Sequence, residues 1–187
     1  MNKYLLLIEG MDCTGKSTFI NNLISFIKKE YNINFNLIHN TFPKGNSLEE
    51  RYGYQMGLNY TQMEMLQQSN DNWIFDRSFL GEETWSKLYR KREATYLKDI
   101  INLYTNLKNY KKYFIYIDCD PKVVIQRFKL YRKNETCPKL PEYSKLQLDF
   151  KNNCFSILEP DVILDTTYNP SFDILWNNIK YIFCQEG

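Results

Sequence analysis

Paired cysteines are missing from this chain: its five, Cys13, Cys119, Cys137, Cys154 and Cys184, are scattered and odd in number. That spacing argues against a disulfide framework or a zinc cluster and predicts reduced thiols in a cytoplasmic, reducing compartment. Histidine occurs once, as His39, and reads as a residue closing a strand rather than as a ligand or base. No apolar run approaches the ~18 residues of a membrane span, and Met1 to Ile8 is too short for a secretion signal with flanks, so neither a membrane partner nor a targeting segment is expected. Charge excess is lacking too. The 24 basic and 22 acidic residues leave a net +2, without the basic footprint that duplex nucleic acid requires. Repeats, low-complexity stretches and linkers are absent, and 187 residues suit a single domain over 1–187, large enough to need no staples.

What is present begins at Gly10. Residues Gly10, Met11, Asp12, Cys13, Thr14, Gly15, Lys16, Ser17 and Thr18 form a complete G-x-x-x-x-G-K-S/T loop. A backbone curled around polyphosphate needs glycine where a side chain would block approach, at Gly10 and Gly15. Lys16 supplies a point charge, the loop amides and the following helix dipole face the anion, and the Ser17 hydroxyl is placed for Mg²⁺. The apolar run Tyr4 to Glu9 precedes the loop, as a doubly covered parallel strand should. Phe19, Ile20, Leu23, Ile24 and Ile27 then recur at helical spacing.

Further strands are expected at Phe35 to His39, Trp73 to Asp76, Tyr113 to Asp118 and Val162 to Asp165. Helices are expected at Lys16 to Glu30, Leu48 to Met56, Thr61 to Ser69, Leu80 to Arg90, Tyr96 to Tyr110, Pro121 to Tyr131, Glu142 to Leu158 and Pro170 to Cys184. The alternation predicts an α/β fold of three layers, a five-stranded parallel sheet with helices on both faces. Ligands of such sheets sit beyond the strands' carboxyl ends, where Glu9, Asp76, Asp118 and Asp165 stand.

Asp76 and Arg77 close the third strand beside the phosphate loop. An acid there can hold Mg²⁺ through water, and an arginine can grip a phosphate with two parallel hydrogen bonds. The segment Arg127 to Lys133 leaves a helix and turns polar, which predicts a short basic lid over about 127–140. Arg127 and Arg132 would close on a transferring phosphoryl group, whose transition state is stabilised mainly by positioning and charge. A helix end complemented by basic residues explains part of that cluster equally well.

With these blocks in place the chain resembles the thymidylate kinase family of P-loop nucleotide kinases. Ile8 to Thr18 resembles the family's first strand and loop, and the resemblance implies that Asp12 holds the sugar 3′-hydroxyl. Thr41-Phe42-Pro43 resembles the family's Arg-Phe-Pro element, with Thr41 in place of arginine. Asp76-Arg77, followed by Trp85, resembles its Asp-Arg-aromatic motif, and Arg127 to Lys133 with Leu146 to Phe150 its lid and following helix. Ser78 is also similar to the Glu-Arg-Ser of the related deoxynucleoside kinases.

The resemblance implies ATP and Mg²⁺ as cofactors, small nucleotides as partners, and a homodimer packed through helices. It also implies base or sugar contacts from Phe42, Trp85, Tyr54 or Tyr60. A hydroxyl acceptor benefits from a carboxylate base near the end of strand two, whereas a monophosphate is already ionised. No Asp or Glu lies between Phe35 and Ser47, which favours a monophosphate, dTMP first among them. Two alternatives stay open: a deoxynucleoside kinase, with Asp76 as a conceivable base, and a P-loop ATPase or switch acting with a nucleic-acid or protein partner.

Overall fold

Leu5, Leu6, Leu7 and Ile8 are each at most 1% exposed, because their strand lies mid-sheet with helices on both faces. The computed structural model describes residues 3–41 and 47–184. Its strands β1 (Lys3–Glu9), β2 (Phe35–His39), β3 (Asn72–Asp76), β4 (Tyr110–Asp118) and β5 (Val162–Asp165) pair in the order β2-β3-β1-β4-β5, all parallel. Alternate side chains of β1 feed two cores. Leu6 and Ile8 meet α1 (Lys16–Tyr31) and α7 (Phe172–Ile179) through Phe19, Leu23 and Ile179. Leu5 and Leu7 join the opposite core with α2 (Leu48–Gln68), α4 (Leu97–Thr105), α5 (Pro121–Tyr131) and α6 (Leu140–Ile157). The expected α/β architecture of three layers is therefore present. No helix among the described residues is long and apolar enough to cross a membrane.

The helices differ from expectation in four places. The two predicted over Leu48 to Ser69 are one, started by a capping box between Ser47 and Glu50. Its buried positions include Gln55, Asn59 and Gln62, so a polar interior face blurred the apolar period. Leu80 to Arg90 is a helix of changing pitch: a 3₁₀ turn Phe79–Gly81, then α3 (Glu82–Trp85), then a π turn Ser86–Arg90. A Cβ at Gly81 would stand 2.8 Å from the Phe150 ring, so glycine there lets the turn close on α6. α4 stops at Thr105, and β4 begins earlier than expected, at Tyr110. Pro170 lies before α7, whose N-cap is Ser171, whereas Pro121 opens α5 behind its cap Asp120 as expected.

Two glycines give opposite predictions. Gly10 has φ +149° and a Cβ there would stand 2.5 Å from the Ile117 carbonyl oxygen, while Gly53, exposed in α2, has open space around it. Gly10→Ala should cost on the order of 3 kcal/mol or prevent folding. Gly53→Ala should add about 0.5–1 kcal/mol. Urea unfolding of both variants checks the pair, and equal effects would contradict it.

Candidate active site

The loop from Gly10 to Gly15 leaves β1 at Glu9 and feeds α1 at Lys16, with left-handed backbone at Cys13 (φ 62°) and Gly15 (φ 94°). Its inner side is pinned by the Thr14 hydroxyl donating to the Met11 carbonyl at 2.9 Å, and by the Thr166 hydroxyl donating to the Thr14 carbonyl. The loop borders a cavity of about 720 Å³, a volume typical of small-ligand sites. Asp12, Cys13, Gly15, Lys16, Ser17, Thr18, Arg77, Arg127 and Arg132 all line it. Gly10 and Thr14 form the backbone behind.

Cations converge here with their charge already answered. Lys16 Nζ lies 2.8 Å from Asp76 Oδ1, with both side chains at most 5% exposed. Arg77 forms an ion pair with Asp12, which Arg132 also approaches at 3.4 Å. A buried cation without a counter-charge would be costly. In this arrangement the two carboxylates occupy the counter-ion positions that a polyphosphate could take. Arg77 itself has φ 68°, a sparsely populated conformation for a non-glycine residue that must be held by its surroundings. It is held by its amide donating to the Ile8 carbonyl at 3.1 Å and by Asn40 Nδ2 donating to its own carbonyl at 2.8 Å.

Asp76 has a further partner that the sequence reading set aside. His39 Nδ1 lies 2.6 Å from Asp76 Oδ2, and Ser17 Oγ donates to the same oxygen at 3.5 Å. Burial opposes the charge on Asp76, yet Lys16 and His39 outweigh it and hold the carboxyl below its ordinary value. His39 closes its strand as expected, and it also lines the cavity. Only the strand order reveals this, because His39 and Asp76 are register partners on β2 and β3.

Ser17 and Asp76 offer hard oxygens close together, and no group of three His, Cys, Asp or Glu side chains clusters among the described residues. That donor set suits Mg²⁺, which keeps several waters and shares its shell with phosphates, better than a metal caged by protein.

The remaining expected residues divide. Arg127 reaches the cavity, but it is braced: its guanidinium donates to the Thr166 carbonyl at 2.6 Å, Asn169 Oδ1 at 2.5 Å and the Cys13 carbonyl at 3.3 Å. It sits inside α5, and the irregular segment begins only at Arg132. Trp85 is not among the cavity walls; its ring stacks on Tyr89 at 5.7 Å and meets Phe150 at 5.0 Å. Burial pushes the Tyr89 hydroxyl up, with the Asp12 carboxylate adding to the rise and Arg77 opposing it. Tyr54 is exposed, and the Tyr60 hydroxyl donates to Asp99 at 3.1 Å. Phe42 and Pro43 lie outside the described residues.

Sequence reading also missed Thr166 and Asn169, which no motif flags, and the role of Glu9. Glu9 is fully buried at the end of β1, where its Oε1 accepts the Ser78 amide at 2.5 Å and the Ser78 hydroxyl at 2.8 Å. It ties the phosphate loop to the turn after Asp76.

No family model matches the chain, and no curated protein matches it. Solved structures do. The YorR protein of Bacillus subtilis, crystallised with phosphorylated GDP, is 20% identical over 96% of this chain and 95% of its own, with a TM-score of 0.63. A thymidylate kinase of Candida albicans is 18% identical over 96% of this chain and 92% of its own, with a TM-score of 0.56. The chain thus shares the α/β fold of P-loop nucleotide kinases along nearly its whole length.

Burial lifts the Glu9 carboxyl to about 7 against an ordinary 4.5, despite the Ser78 hydrogen bonds. A carboxyl raised in the folded state contributes stability that is complete below pH 4.5 and is lost as pH climbs towards 7. Wild type should therefore lose on the order of 3 kcal/mol relative to Glu9→Gln across that window. Denaturant midpoints of both proteins at several pH values measure it, and parallel curves would refute the assignment.

Proposed function

We propose that this protein is an ATP-dependent nucleoside-monophosphate kinase, transferring the γ-phosphoryl group to a deoxynucleoside monophosphate, with dTMP as the first acceptor to test. The carrying observation is the convergence of Lys16, Arg77, Arg127 and Arg132 on one cavity beside the phosphate loop. A donor triphosphate on the loop would draw Lys16 from Asp76. An acceptor phosphate would draw Arg77, and with it Arg132, from Asp12. Asp12 then has free oxygens for a sugar hydroxyl. Its place in the loop, which donor binding alone does not require, supports contact with both substrates. The fold shared with a thymidylate kinase supports the acceptor class.

Ser17 and, through water, Asp76 would hold Mg²⁺, which supplies neutralisation of the donor phosphates. Arg127, fixed against Thr166, Asn169 and the Cys13 carbonyl of the loop itself, walls the cavity beside the loop and adds charge without having to move. Arg132, on the irregular segment after α5, can change partners between Asp12, Glu135 and a phosphate. Phosphoryl transfer needs little beyond such positioning and charge.

A nucleoside 5′-hydroxyl is the second acceptor to consider, because His39 paired with Asp76 places an imidazole where β2 ends. The sequence supplied no carboxylate there, but an imidazole can also accept a hydroxyl proton. An ADP-release assay against dTMP, dGMP, dCMP, AMP and the matching nucleosides decides between them. We expect dTMP turnover to exceed thymidine turnover, and the reverse would overturn the monophosphate reading.

Lys16→Ala strips the buried Asp76 of its main counter-charge and should lose stability, and the fraction that folds should lose about 10²-fold or more in kcat. Arg77→Gln should raise KM for the monophosphate about 10- to 100-fold, with the KM for ATP moved less. A folded Lys16→Ala protein with wild-type rates would sink the assignment.

A further inference from the structure

We propose that His39 is a positioning residue, holding the Asp76 carboxylate in place once Lys16 has left it for a bound phosphate. The proposal rests on the reading above and deepens it. Asp76 is 3% exposed on its side chain, with Lys16 on Oδ1 and His39 on Oδ2. Loss of Lys16 to a phosphate would leave a buried carboxylate short of its main counter-charge, free to turn or to recapture the lysine. A donor that stays behind prevents both. Because Asp76 is ionised, the shared hydrogen lies on His39 Nδ1, which donates it. The imidazole is anchored by its strand but partly open, with a side-chain exposure of 44%, so it can remain on Oδ2 while the cavity fills.

The residue after it completes the clamp. The Asn40 amide donates to the Asp76 carbonyl at 3.1 Å, and Asn40 Nδ2 donates to the Arg77 carbonyl at 2.8 Å. Gln62 Nε2 in turn donates to Asn40 Oδ1 at 2.7 Å. Two successive residues at the end of β2 thus hold one turn, His39 by its carboxylate and Asn40 by its backbone. Groups that hold a metal-facing carboxylate in this way are typically worth 10- to 100-fold in metal affinity or activity.

The test measures Mn²⁺ affinity in the presence of ADP by isothermal titration, together with kcat and KM, on folded wild type, H39A, H39N, H39Q, D76N and H39A/D76N. We expect H39A to weaken Mn²⁺ binding and lower kcat about 10-fold or more, with acceptor KM changed less than about threefold. H39N, whose amide nitrogen falls near the imidazole Nδ1 position, should recover most of the loss, while H39Q should not. In the D76N background H39A should add little, since the effect passes through Asp76.

Wild-type binding by H39A overturns the proposal. So does rescue by Gln but not Asn, which would assign the work to Nε2 on a substrate, and so do multiplying effects of H39A and D76N. If wild type phosphorylates no acceptor while Mn²⁺ binding follows the expected pattern, the kinase reading falls and the positioning role stands.

Discussion

A lysine buried at the mouth of a loop needs a counter-charge of its own, and the pairing of Lys16 with Asp76 is how this chain meets that requirement. Both side chains are nearly excluded from solvent, so neither charge could stand alone. The same logic repeats beside it, where Asp12 answers Arg77 and Arg132. Lys16, Arg77 and Arg132 thus meet carboxylates in the cleft, whereas Arg127 is braced by neutral acceptors and keeps an unmatched positive charge among the described residues. A ligand that enters must exchange one set of ion pairs for another, and only the difference between them appears as affinity. An exchange of this kind favours ligands carrying several negative charges, since a weak anion cannot compete with a carboxylate already in place.

The exchange depends on the sheet. β3 lies between β1 and β2, and β1 also pairs with β4 in register, so the ends of these strands form one rim. Glu9 anchors the Ser78 turn from β1, His39 holds Asp76 from β2, and the Thr166 amide donates to the Asp118 carbonyl at 3.0 Å just beyond β5. Each contact joins residues far apart in sequence. Crossover helices pack on both faces, which fixes the strand ends relative to one another and leaves the loops between them to carry polar side chains.

Much of this was legible in the residues. All five strands, the phosphate loop and the limits of α1 and α5 follow from unbroken apolar runs, glycine spacing and helical periodicity. What escaped did so for physical reasons. α2 was split because Gln55, Asn59 and Gln62 are buried where the period requires apolar residues. His39 was set aside because its partner is fixed by strand order, a property no local window contains. Motif spacing points Trp85 to the site, whereas its ring packs on Phe150 in space that a Cβ at Gly81 would fill. The basic run from Arg127 predicts a lid, but the Arg127 donors are committed to the loop after β5.

Two carboxylates stand at the ends of neighbouring strands in opposite electrostatic settings. Glu9 and Asp76 are both buried, on β1 and β3, yet one is pushed up to about 7 and the other held below its ordinary value. Burial acts on both in the same direction, so the partners must make the difference. Glu9 receives hydrogen bonds from the neutral Ser78, with Lys16 and Arg77 acting only as more distant charges, whereas Asp76 is in direct contact with Lys16 and His39. The lysine thus sets the charge state of the acid it touches and only tempers that of the acid it does not. A phosphate that draws Lys16 away changes the field at both. Glu9 can answer by keeping its proton, whereas the charge on Asp76 would then depend on what remains at β2, where His39 touches it.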